Sequence, residues 1–130
     1  MKKLFISCPM RGRTEENIRN SMDKMHKLAE LVFGEELEVI DSYIEHDPPE
    51  NVNRAVYMLG ESIKKLSKAD YFIGIMDIRN KYKGCDIEEI VAHHYDIKKY
   101  MINESECDFF KDIHGVTGDI YYTPAKPTRE

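Results

Sequence analysis

A chain of 130 residues and 15.2 kDa, 42% hydrophobic and 33% charged, has the size of one compact domain and excludes two. Its longest apolar run, Tyr71 to Met76, is six residues, against the roughly 20 that a membrane helix needs. The opening Met1-Lys2-Lys3-Leu4-Phe5-Ile6-Ser7 turns polar too early for a secretory signal, so a soluble cytoplasmic protein with no membrane partner is expected. Nineteen Lys and Arg against 24 Asp and Glu leave a net charge of -5 with no basic run longer than two residues, which argues against a nucleic-acid partner. Cys8, Cys85 and Cys107 are odd in number and form no CxxC pair, so reduced thiols are expected rather than a disulfide framework or a structural zinc site.

Lys3 to Ser7 is a short apolar run without strict alternation, closed by Cys8-Pro9, as in a strand buried on both faces. Thr14 offers an N-cap hydroxyl, Glu15 and Glu16 put negative charge in the first turn, and Ile18, Met22, Met25, Ala29 and Val32 recur at helical spacing until Gly34. Leu37 to Ile40 reads as a second strand. Asp41 to Asn53, with Pro48-Pro49 inside, reads as a loop. From Asn53, a plausible cap, Val56, Leu59, Ile63 and Leu66 mark one helical face that closes at Lys68 before a third strand, Tyr71 to Met76. Asp77 to Lys83 is a polar loop punctuated by Gly84. Ile87, Ile90, Val91 and His94 trace a third helical face, and Lys99 to Ile102 a fourth strand.

Strands alternating with helices over short connections imply a parallel sheet covered on both faces by right-handed crossovers. The fold class is therefore α/β, over a domain of residues 1–103. In the extension 104–130, Ser105 to Ile113 suits a short helix and Ile120-Tyr121-Tyr122 an edge strand.

Ligands of an open parallel sheet bind outside the carboxyl ends of the strands. That selects Ser7 to Arg13, Asp41 to His46 and Asp77 to Glu88. Arg11 and Arg13 stand just before the first helix, where guanidinium charge and free N–H groups suit a phosphate or carboxylate; both suit a solvated loop equally well. Asp86, Glu88 and Glu89 are placed in the first turn of the third helix, a position that favours ionised carboxylates. Stepping 100° per residue groups Glu88 with Ala92 and Tyr95 beside the Ile87, Val91 and His94 stripe, and turns Glu89 outward with His93 and Asp96. Glu88 is thus the candidate for a nucleophile or electrostatic stabiliser, although acidic residues at helix starts are commonly just that. Cys85 suits a small buried residue as well as a reactive thiol. Glu89 and His93 share a face but lack a third ligand, so no metal site is expected. Neither GxGxxG nor GxxxxGK[ST] occurs, and no cofactor is expected.

Three segments together carry a family likeness. Phe5-Ile6-Ser7-Cys8-Pro9-Met10-Arg11-Gly12, then Tyr57-Met58-Leu59-Gly60-Glu61-Ser62-Ile63 running to Ala69-Asp70, then Gly84-Cys85-Asp86-Ile87-Glu88 with Ala92, resemble the nucleoside 2-deoxyribosyltransferase-like superfamily, in particular its small DUF4406 branch. The likeness spans about residues 3–102. It implies a flavodoxin/Rossmann-like three-layer sandwich with a four- to five-stranded parallel sheet. It also implies cleavage of an N-glycosidic bond in a nucleoside or nucleotide, through attack of a glutamate on the anomeric carbon. Glu88 matches that glutamate.

The resemblance further implies that Arg11, with Ser7 and Arg13, serves a 5′-phosphate, that Met10 borders base or sugar, and that Cys8 alters pocket packing. Tyr43, Ser62, Asp77, Tyr82 and Gly84 complete the implied substrate-binding set, and assembly into dimers or higher homo-oligomers is implied as well. Two positions depart from the family pattern. Ser62 and Tyr82 stand where the transferases carry acidic residues, and a hydroxyl cannot act as a carboxylate base. Base recognition must differ, and hydrolysis, transfer between bases and non-catalytic nucleotide binding remain the alternatives.

Overall fold

The apolar runs become parallel strands because each is long enough to cross a sheet once and carries apolar side chains that need cover on both faces. The computed structural model describes residues 1–10, 12–41, 46–76 and 82–103. In chain order these form β1 (Lys2–Ile6), α1 (Glu15–Phe33), β2 (Leu37–Val39), α2 (Arg54–Leu66), β3 (Tyr71–Ile75), α3 (Lys83–His94) and β4 (Lys98–Ile102). The sheet order is β2-β1-β3-β4 and every pairing is parallel. This is an α/β, Rossmann/flavodoxin-like sandwich with four strands among the described residues. The expected fifth strand at Ile120 to Tyr122, the helix at Ser105 to Ile113 and the whole 104–130 extension lie outside the described residues.

Alternation along β1 and β3 divides the core in two. Leu4, Ile6, Tyr71, Ile73 and Ile75 face α1 and bury against its Met25 and Ala29. Phe5 and Phe72 face the other way and bury with Leu66 of α2 and Ala92 of α3. The register pairs Phe5 with Phe72 and Ile6 with Ile73, so the two phenylalanines stack, ring centroids 5.8 Å apart.

Local signals set the helix ends. The Thr14 hydroxyl accepts from the Asn17 N–H at 3.1 Å, and the Asn53 carbonyl accepts from the Val56 N–H at 3.0 Å, each satisfying one of the otherwise unpaired amides of a first turn. Val56, expected on the inner face of α2, is instead 63% exposed; within α2 only Leu66, at its far end, is buried.

Gly74 in β3 is required by close approach. A Cβ there would lie 2.8 Å from Cε1 of Phe72, whose ring is fully buried, and 3.2 Å from Cε of Met101. Gly74→Ala is expected to cost about 1–3 kcal/mol, measured by urea unfolding; an unchanged midpoint would show that the ring has room to move.

Candidate functional site

The first strand ends at Ile6 and α1 leaves towards one face, whereas β3 ends at Ile75 and α3 packs on the other. The neighbours β1 and β3 are therefore the point where the winding reverses, and a crevice opens above such a point at the carboxyl edge. Ser7 stands there. Its N–H donates to the Ile73 carbonyl at 2.8 Å, which carries the β1–β3 ladder one residue past the strand. Alternation from Phe5 then points its side chain to the face of α2 and α3.

Three predicted site residues converge on that face. The Ser7 hydroxyl donates to Oε1 of Glu88 at 2.7 Å, and the Ser62 hydroxyl donates to Oε2. They arrive from three elements: the end of β1, the middle of α2 and the second turn of α3. Glu88 is 9% exposed, and among the described residues no ion pair holds its carboxyl. Burial pushes its pKa above the ordinary carboxylate value, while the Ser62 and Ser7 hydroxyls pull in the opposite direction without cancelling that effect.

The expectation that a helix start keeps Glu88 ionised is corrected. Helix α3 begins at Lys83, so Asp86 is in the first turn and Glu88 is not; the helix dipole fades beyond that turn. Desolvation decides the ionisation instead. The expected apolar stripe is corrected too: Ile87 and Ile90 are 40% and 44% exposed and Tyr95 is 77% exposed, while Glu88 and Ala92 form the buried side. A carboxylate with two hydroxyl donors satisfies itself in a place where an isoleucine was the natural expectation.

The other predicted residues are distributed as follows. Cys8 is buried, with its thiol 3.6 Å from the Pro9 carbonyl. Arg13 turns inward, its guanidinium donating to Pro9 and Asn17 carbonyls and to the Ser21 hydroxyl. Met10 is 37% exposed, and its carbonyl accepts from the Arg13 N–H at 3.1 Å. Tyr82 precedes α3, packs against the core on the α1 side and accepts through its carbonyl from the Asp86 N–H at 2.9 Å. Gly84 is exposed on the first turn of α3. Arg11, Tyr43 and Asp77 lie outside the described residues.

No known family, curated protein or solved structure matches the chain. The site therefore has to be read from its own atoms. Glu89, weighed as a metal ligand, pairs with Lys99 at 2.8 Å. Among the described residues no three His, Cys, Asp or Glu side chains gather as a cation site, and no helix is long and apolar enough to cross a membrane. Two shallow grooves, one between α2 and α3 lined by Ile63, Leu66, Val91 and Ile97, the other along α1 lined by Arg19, Met22 and His26, are separate from Glu88. The residue that sequence reasoning missed is Gly74, which directly follows Ile73, the acceptor of the Ser7 N–H. A lone glycine inside an apolar strand pattern was the available signal, since it marks close approach.

Proposed function

We propose that the chain cleaves the N-glycosidic bond of a nucleoside or nucleotide, as an enzyme of the nucleoside 2-deoxyribosyltransferase-like type, with Glu88 as nucleophile. The observation that carries the reading is a buried carboxyl, free of any described ion pair, with each oxygen fixed by a hydroxyl at the winding reversal of a parallel sheet. Structural carboxylates are normally solvated or paired with a cation; one held bare in this position is suited to chemistry.

In the reaction, an Oε lone pair of ionised Glu88 attacks C1′ on the face opposite the base. The C1′–N bond breaks, its electron pair leaves with the base, and the base takes a proton from solvent water, which the later attack of water on C1′ returns. The transition state is oxocarbenium-like, so an adjacent fixed negative charge stabilises it. Water then attacks C1′ of the glycosyl ester, releasing the sugar and restoring the carboxylate; a second base in place of water gives transfer. The two serines orient the carboxylate in a near-attack geometry. Arg11 is assigned the anchoring of a 5′-phosphate, and a homo-oligomer in the cytoplasm belongs to the same reading.

The test is incubation with a panel of nucleosides, deoxynucleosides and their 5′-monophosphates, with free base followed by mass spectrometry. Base release that is lost in Glu88→Gln supports the reading. Tight binding of an intact ligand without release would make the protein a nucleotide binder instead.

The pH profile supplies a second check. Attack needs the ionised carboxylate, and burial raises the Glu88 pKa, so the acidic limb of kcat/KM is expected above the ordinary carboxylate range. Both hydroxyls lower that pKa, so Ser62→Ala is expected to shift the limb further towards alkaline pH. The loss of one hydrogen bond to a charged group, about 1.5–3 kcal/mol, corresponds to a fall in kcat/KM of about 10- to 100-fold. A limb that stays in place in Ser62→Ala would assign it to another group.

A further inference from the structure

The guanidinium of Arg13 gathers acceptors from two separate parts of the chain. Nη1 donates to the Pro9 carbonyl at 2.8 Å and lies 3.5 Å from the Cys8 thiol. Nη2 donates to the Ser21 hydroxyl at 2.6 Å and to the Asn17 carbonyl at 3.3 Å. Pro9 and Cys8 belong to the segment that leaves β1, Asn17 and Ser21 to the first two turns of α1. Ser21 is 2% exposed and Cys8 6% exposed, and Arg13 itself is half-buried. Ser7, the residue before Cys8, donates to Glu88.

We propose that Arg13 is a positioning residue for Glu88, acting by pinning the Ser7 to Pro9 segment against α1 and thereby fixing the hydroxyl that holds Oε1. The proposal rests on the reading of Glu88 as nucleophile and adds a part to it. A planar fork with its donors committed to four fixed acceptors has little left to offer a mobile anion, and its geometry matches a bracing role. Ser62 and Ser7 thus hold the carboxyl on the α2 and α3 face, and Arg13 braces the segment that carries Ser7 from the α1 side. The groups facing Glu88 from the elements packed on it are the hydroxyls of Ser7 and Ser62; among the described residues no charged side chain contributes to its ionisation.

The experiment uses the full chain with Arg13→Gln, Arg13→Lys and Ser21→Ala. The first readout is the titration of the Glu88 carboxyl carbon by 13C NMR, assigned by its loss in Glu88→Gln; the second is kcat and KM for a nucleoside and its 5′-monophosphate. In Arg13→Gln the Glu88 titration is expected to move to higher pH, towards its position in Ser7→Ala, and kcat to fall by about 10- to 100-fold with KM for both substrates unchanged. Lysine, with a single ammonium, is expected not to rescue, and Ser21→Ala to give a smaller change in the same direction.

A Glu88 titration unmoved in Arg13→Gln and Ser21→Ala overturns the proposal whether or not any substrate is turned over. A KM rise confined to the monophosphate and repaired by lysine overturns it in favour of an anion ligand. If Arg13→Gln does not fold, Ser21→Ala decides. Absence of base release from the wild-type protein, together with the expected titration shift, defeats the proposed reaction while supporting the brace.

Discussion

Glu88→Gln is expected to lower base release by about 10³-fold or more and, in the same protein, to raise stability at neutral pH. The loss of activity follows from removing the attacking oxygen while leaving shape and burial alone. The gain in stability follows from linkage. Burial holds the folded-state pKa of Glu88 above its ordinary value of 4.5, so between the two values the folded chain retains a proton that the unfolded chain releases. The folded state then binds more protons than the unfolded state, and stability falls as pH rises through that window. The destabilisation is absent below the ordinary value and complete above the raised one. A glutamine amide never ionises, and it can accept from one serine while donating to the other. The difference in Tm between variant and wild type is therefore expected to be small in acid, to grow through the window and to level off above it. A variant less stable than wild type at every pH would mean that the two serine hydrogen bonds outweigh the desolvation. That outcome would remove the strained, waiting carboxylate on which the proposed chemistry depends.

The architecture was legible because its signals are local. Thr14 and Asn53 announce their helices with side chains that cap amides three residues on, and the unbroken Tyr71 to Ile75 run can only be a strand covered on both faces. Helix α3 was less legible for the same reason. Its N-cap, Tyr82, makes no side-chain cap hydrogen bond, so nothing in the residue types marks Lys83 as its start, and an error of a turn there placed Glu88 beside a dipole it does not feel. The inward face of α3 was hidden more deeply. Ile87 and Ile90 outrank Glu88 in hydrophobicity, and only partners 81 and 26 residues away, Ser7 and Ser62, make its burial tolerable. Arg13 illustrates the converse: composition shows a charge near a helix start, whereas the acceptors that occupy it become visible only when the loop and α1 are folded together.

Phe72→Ala is expected to destabilise the fold by about 3–5 kcal/mol, a large share of the roughly 5–15 kcal/mol that holds a domain together. Phe72 is fully buried in β3, between β1 and β4, with its ring nearly parallel to that of Phe5 and in one cluster with Leu66 and Ala92. Neighbouring strands fix the backbone on both sides, so the surroundings cannot collapse into the space the ring leaves, and the cavity penalty adds to the lost burial. Urea unfolding measures the change, and Leu31→Ala, at an 80% exposed position of α1, serves as a control expected to shift stability by about 0.5 kcal/mol or less. Equal effects at the two positions would refute the burial of Phe72 in a close-packed core. The same ring bears on the site. Ala92 lies one turn beyond Glu88 on the buried side of α3, so the ring against which Ala92 packs sets how closely that helix approaches the sheet. The milder Phe72→Leu is then expected to leave a folded protein in which α3 settles inward, and to reduce kcat by more than its loss of stability would suggest. A Phe72→Leu variant with wild-type kcat would show that the two serines alone fix the carboxyl.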